Sequence, residues 1–264
     1  MSKEFLTLHR QCEKLINEKL VSVEDRDMAK KILLNDNYFN IASCSKIKYA
    51  TGTDEEGNHT YNPTLFLDWK NYFDMDCAVS EYLIINTLRF ERRLNSRTAY
   101  YASELVRHRR MNTDEFNRFK RIIQGDVDPD IRRYDGTETW VWITKKTFGG
   151  LKRVIEWLWK NNFRDVVRKI IKNIDFLQRN VLKKLDEIVN LRNNIFHFRP
   201  LSIYLVHGNL EPNFSSYPLR KDVIEYIHTF NKNNDFTASI NEITRNARNF
   251  ITIKNNKKTA EIFG

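Results

Sequence analysis

Turn-forming residues are too sparse in this chain for most β architectures. A sandwich or barrel needs a turn every ~8–12 residues. The 264 residues hold only eight Gly and five Pro. Helical spacing of apolar residues dominates instead, and it predicts an all-α chain with room for one short hairpin. With 41% apolar and 12% aromatic residues there is material for a packed core, which excludes a disordered chain. No apolar run approaches the ~18–20 residues of a membrane span.

The pattern predicts helices at 5–20 and 24–35, joined at 21–23, with Ser22 as N-cap and Asp25 completing a capping box. Residues 51–62 read as a loop before Pro63. A long buried helix follows at 65–95, then helices at 99–107 and 114–124, the last capped by Thr113. Residues 125–138 read as a second loop. The stretch 140–147 is ambiguous, because β-formers dominate Trp140-Val141-Trp142-Ile143-Thr144. Gly149-Gly150 breaks the pattern before a helix at 151–161. A strong helix covers 174–196, with Leu177, Val181, Leu185, Ile188 and Ile195 in one apolar stripe, and Pro200 ends it. A loop at 207–218 precedes helices at 219–231 and 237–249 and a basic tail. Neither early loop separates two plausible cores, so 1–264 reads as one helical domain.

The net charge is +10, and residues 151–200 carry +7 of it, from 12 Lys/Arg and 5 Asp/Glu. A solvated surface and a phosphate-tracking surface both fit such a charge run. Cys12, Cys44 and Cys77 form no CxxC pair and suit no disulfide framework. With no apolar secretory leader in the opening residues, a reducing cytoplasm is expected.

Six His (His9, His59, His108, His197, His207, His228) are scattered without metal-ligand spacing. GxxxxGK[ST], GxGxxG and GxSxG are absent. No metal and no cofactor are expected. One constellation remains, Leu191-Arg192-Asn193-Asn194-Ile195-Phe196-His197-Phe198-Arg199-Pro200. At 100° per residue, Asn193 and His197 fall roughly 160–200° from the stripe direction, one turn apart. Arg192 lies at the stripe's edge, where its long side chain can snorkel outward. Imidazole both accepts and donates protons near neutrality, and guanidinium matches phosphate oxygens. These are the parts for RNA cleavage by a ribose 2′-OH. An ordinary solvated helix face has the same residues.

The same region resembles the Arg-x4–6-His signature of HEPN domains, in which a polar residue follows the Arg. Arg192-Asn193-Asn194-Ile195-Phe196-His197-Phe198-Arg199 resembles the end of the Abi-like (AbiD/AbiF) abortive infection proteins. Three more segments are similar to that family in the same order: 33–49 with its Asn-Tyr-aromatic run, 66–104 with Phe73-Asp74 and Phe90-Glu91, and 138–158 with its Trp-containing stretch and Phe148-Gly149 turn. The resemblance covers roughly residues 5–205. Phe196 stands where many relatives have a small residue, and the usual Leu-Arg is replaced around Ala78-Val79.

The resemblance implies a HEPN-type helical bundle at 63–205, with an N-terminal helical segment at 5–50 and a C-terminal extension at 206–264. It implies a metal-independent endoribonuclease of a bacterial anti-phage system, leaving 2′,3′-cyclic phosphate, with a composite site across a homodimer. His197 would be the acid/base, Arg192 the phosphate-binding group, Asn193 the positioning group and Arg199 an RNA contact. The partners implied are substrate RNA and, in some relatives, a structured non-coding RNA. The alternatives are an RNA-binding protein of the same fold without cleavage, and a helical interaction protein. Glu91 pairs with an active-site Arg or forms a structural ion pair. Arg107-His108-Arg109-Arg110 contacts phosphates or is a solvated helix end, and Trp140, Trp142, Trp157 and Trp159 stack bases or fill the core.

Overall fold

The computed structural model describes residues 5–125, 138–172, 180–206, 216–230 and 235–263. It contains twelve helices and two two-stranded sheets among them. All but the two end residues of the expected loop at 125–138, the start of the 174–196 helix with Leu177, and most of the loop at 207–218 lie outside the described residues. Two compact units divide the chain. One comprises Met1–Ile84, Asn193–Ile224 and Lys232–Gly264, the other Ile85–Arg192 and Glu225–Asn231.

In the first unit, α1 (Leu8–Lys19) is capped by the Thr7 hydroxyl, which accepts from the Arg10 amide. It ends at Leu20, whose φ of 53° turns the chain into β1 (Val21–Ser22). The predicted cap of α2 (Arg26–Asp36) is corrected: Asp25 is the N-cap and accepts from the Asp27 and Met28 amides. Ser22 instead pairs in parallel with β4 (Thr64–Leu65). Asn37, at φ 66°, closes α2 and caps α3 (Tyr38–Tyr49) by accepting from Phe39. Helix α3 is buried over Ile41–Ser45 and at Ile47, while Phe39 and Lys48 near its two ends stay exposed.

The expected loop at 51–62 is a hairpin, with β2 (Ala50–Thr53) antiparallel to β3 (His59–Tyr61). The Asp54 carboxylate accepts from the Asn58 amide at 2.7 Å and closes the turn. Trp69 is fully buried, stacks on Tyr49 and donates its indole N–H to the Thr64 hydroxyl. The long α12 (Thr237–Phe263) buries Ile240, Ile243, Ala247 and Phe250 against α3, β2 and α10 (Leu201–Val206). It runs past the expected end at 249.

The predicted break at 95–99 is also corrected. Helix α4 (Phe66–Arg107) is continuous over 42 residues, and no Gly or Pro falls within it. Its residues from Ile85 onward belong to the second unit. The polar residues of this stretch are absorbed: Asn95 donates to the Ile143 carbonyl, and buried Thr98 back-bonds to the Leu94 carbonyl.

In the second unit, α5 (Thr113–Gln124) begins one residue earlier than expected. Asn112, not Thr113, is its N-cap, in a reciprocal capping box with Glu115. Its last turn is closed by buried Lys146, whose ammonium donates to the carbonyls of Ile122 and Gly125. The β-like Trp-Val-Trp-Ile-Thr run is helix α6 (Thr139–Thr144). Burial of Trp142 and Ile143 overrides their strand propensity.

Gly149 and Gly150 do not break α7 (Phe148–Lys160) but lie in its first turn, where Thr147 caps the Gly150 amide. A Cβ on Gly150 would sit 3.0 Å from Lys146 Cδ, so the missing side chain lets Lys146 pass toward α5. Helix α8 (Arg164–Ile171) packs on α7. Phe90, fully buried, is surrounded by Phe148, Tyr226 and Phe230, the latter two from the end of α11 (Ser216–Thr229) and just beyond it. No described helix is long and apolar enough to cross a membrane.

Candidate functional site

The candidate residues cluster at the end of α9 (Val181–Phe196). Val181, Leu185, Ile188, Leu191 and Ile195 are buried at three- and four-residue steps, which anchors one face of this helix. The opposite face is forced outward: Asn193 and His197 are exposed, one turn apart.

The helix ends in a Schellman motif. The Arg199 amide donates to the Asn194 carbonyl and the Phe198 amide to the Ile195 carbonyl. His197 is therefore the C-cap, and its own amide donates to the Asn193 carbonyl at 3.1 Å. Phe198 takes the left-handed position with φ 52°. The Asn194 side-chain amide donates to the Arg199 carbonyl at 3.1 Å and ties the turn again. Pro200 is buried beyond the helix end, which is already set at Phe196 by this turn.

The chain after the motif is held by a residue that the sequence reading missed. Asp76, fully buried on α4, accepts from the Leu201 amide at 2.5 Å and the Ser202 amide at 2.8 Å. Cys44 and Ser202 meet beside it, Sγ to Oγ 3.3 Å. Burial pushes the Asp76 carboxyl above its ordinary range, against the pull of these donors. The signal was present in the sequence. Trp69, Tyr72, Phe73, Val79 and Leu83 form a buried helical stripe, and Asp76 lies in it.

Arg192 is part-buried, with Nε 3.8 Å from Glu91 Oε2. At that length the contact is Coulombic rather than a hydrogen bond. Glu91 also accepts from the Phe148 amide at the N-terminus of α7, where the helix dipole favours a carboxylate. Burial raises its carboxyl above the usual range, opposed by Arg192 and by that amide. Arg192 is thus aimed by an internal carboxylate, while Asn193 and His197 face solvent.

Of the other candidates, Trp142 is core and Trp140 is 53% exposed. Trp140, Tyr100, Arg107 and His108 line one hollow. Arg110 is paired with Asp165 at 2.8 Å. Cys12, Cys44 and Cys77 are free thiols. No group of three His, Cys, Asp or Glu side chains able to hold a metal occurs among the described residues. Chemically, the helix end offers a solvent-facing proton carrier, an amide beside it and two guanidinium groups seven positions apart, Arg192 and Arg199. No family model matches the chain, and no curated protein or solved structure matches it either.

Proposed function

We propose that this chain is a HEPN-type endoribonuclease of a bacterial abortive-infection system, working in the cytoplasm as a homodimer. The observation that carries the reading is the exposed Asn193–His197 pair at the end of α9, with Arg192 preceding it. The resemblance of the surrounding residues to Abi-like proteins supports it.

In this reading the His197 imidazole takes the proton of a ribose 2′-OH. The freed oxygen attacks the adjacent phosphorus, and the bond to the 5′ oxygen breaks. The products are a 2′,3′-cyclic phosphate and a 5′-OH. The leaving oxygen needs a proton, and a second copy of the chain supplies it from its own imidazole. Arg192 offsets charge on the phosphoryl oxygens, Asn193 orients the phosphate or imidazole, and Arg199 contacts the RNA backbone. Each step is a proton transfer or a charge contact that these side chains supply.

One observation favours a second reading. Glu91 competes with phosphate for Arg192, which suits an RNA-binding protein whose cleavage is absent or restrained by a partner RNA. The test is incubation of the stripped protein with total RNA in EDTA beside His197→Ala. The expected result is cyclic-phosphate ends from the wild type and loss of ~10²–10⁴-fold in rate for the variant. Equal cleavage by both proteins refutes the assignment of His197. Salt-dependent RNA binding without cleavage moves the conclusion to the second reading.

A further inference from the structure

Phe198 occupies a position that disfavours most side chains. It is the left-handed residue of the Schellman turn, φ 52°, where glycine or asparagine is the usual occupant. A β-carbon there is strained, and a side chain that pays for itself by burial is the ordinary justification. Phe198 has no such justification, since it is 87% exposed. Leu20 and Arg109 take the same left-handed backbone at exposed positions, so what sets Phe198 apart is an almost fully exposed aromatic ring immediately after the candidate base.

Its surroundings indicate what that is. Four consecutive residues, Phe196-His197-Phe198-Arg199, are all exposed, alternating aromatic rings with a proton carrier and a cation. Asn193 is exposed one turn before His197. The packed core of a protein–protein interface is depleted of charged groups, so this mixture suits the open cleft beside two copies rather than the contact that joins them. It fits a single nucleic-acid strand well: π-faces accept bases, and cations track phosphates. In a duplex the base faces are already stacked on one another, so an exposed ring selects unpaired nucleotides.

We infer that Phe198 is a stacking platform for an unpaired nucleobase of RNA, which sets the neighbouring phosphate beside His197. The inference rests on the ribonuclease reading for the role of His197 but concerns binding. Stacking on an aromatic side chain is worth about five- to 150-fold in affinity per base.

The experiment uses the full chain and an uncleavable single-stranded oligonucleotide, 2′-O-methylated throughout and carrying 2-aminopurine, whose fluorescence falls on stacking. Wild type, Phe198→Gly and Phe198→Trp are titrated, with a duplex of the same sequence as control, and each protein is melted. The wild type is expected to quench the probe. Phe198→Gly is expected to lose the quenching and bind at least about fivefold more weakly, while its melting temperature rises by about 2–4 °C as the strain is relieved. Phe198→Trp is expected to keep the quenching, and duplex binding to be the same for all three. Unchanged single-strand affinity in Phe198→Gly overturns the inference, as does a wild type that neither binds nor quenches the probe. A shift of Phe198→Gly toward monomer in sedimentation, with the quenching retained, overturns it in favour of a contact between copies. Quenching without cleavage of ordinary RNA leaves this inference standing and removes the catalytic reading.

Discussion

Replacing Asp76 should loosen the chain immediately after the candidate base. The carboxylate accepts two backbone amides, from Leu201 at 2.5 Å and Ser202 at 2.8 Å, and is shut off from water. In Asp76→Ala both amides keep their burial and lose their acceptor. An unsatisfied buried donor costs about 1–3 kcal/mol, so two give about 2–6 kcal/mol. The variant also sheds a buried charge, and the raised carboxyl shows that burial outweighs the donors for the ionised form. That return places the net near the lower half, about 2–4 kcal/mol, a large share of a typical 5–15 kcal/mol.

Asp76→Asn keeps the volume but presents an N–H to one of the two amides. Its cost is about 1–3 kcal/mol, one unsatisfied donor. The pH dependence has a definite sign. A carboxyl raised on folding holds a proton that the unfolded chain has released, so its contribution is fullest in acid. That contribution falls as pH rises from the ordinary carboxylate range through the raised folded value. The penalty of Asp76→Asn relative to wild type is therefore larger at acid than at neutral pH. Urea titrations followed by circular dichroism at several pH values measure both quantities. An unchanged midpoint for Asp76→Ala at neutral pH, or an Asn penalty that grows with pH, refutes the reasoning.

Lys146→Met should strip the Ile122 and Gly125 carbonyls of their donor and lower stability by about 2–4 kcal/mol, read as an earlier urea midpoint with the fraying of α5 seen by hydrogen exchange. Exchange at Arg121 to Gln124 unchanged from wild type would disprove this role. Glu91→Gln should release Arg192 to phosphate, tightening RNA binding and steepening its salt dependence by up to about one counterion. The same release should occur in the wild type as pH falls through the raised Glu91 value, and a salt slope identical in both proteins rules it out.

The core stripe of α9 and the outward placement of Asn193 and His197 were legible because both follow from one helical period. Elements decided by distant partners were not. Asn95 and Thr98 look like a helix end until Ile143 and the burial of Thr98 are known. The strand-like residues of α6 are helical because Trp142 and Ile143 are buried in the second unit. The hairpin at 50–61 was hidden by polar residues whose alternation is too short to stand out. Both misplaced caps, Ser22 and Thr113, sit within three residues of the true ones, since several side chains nearby can accept an amide. Asp76 was overlooked because its purpose lies more than a hundred positions away in the chain.

The turn that ends α9 is specified almost entirely by neighbours in sequence. Its backbone bonds and the Asn194 tether all fall within residues 193–199. Geometry encoded over so short a span is insulated from drift elsewhere, because compensating changes in remote positions are not needed to preserve it. A cassette of this kind can stay readable over ten residues while the surrounding chain diverges beyond recognition as a whole. The end of α9 is built as such a cassette, since none of the bonds that close it reaches beyond residues 193–199.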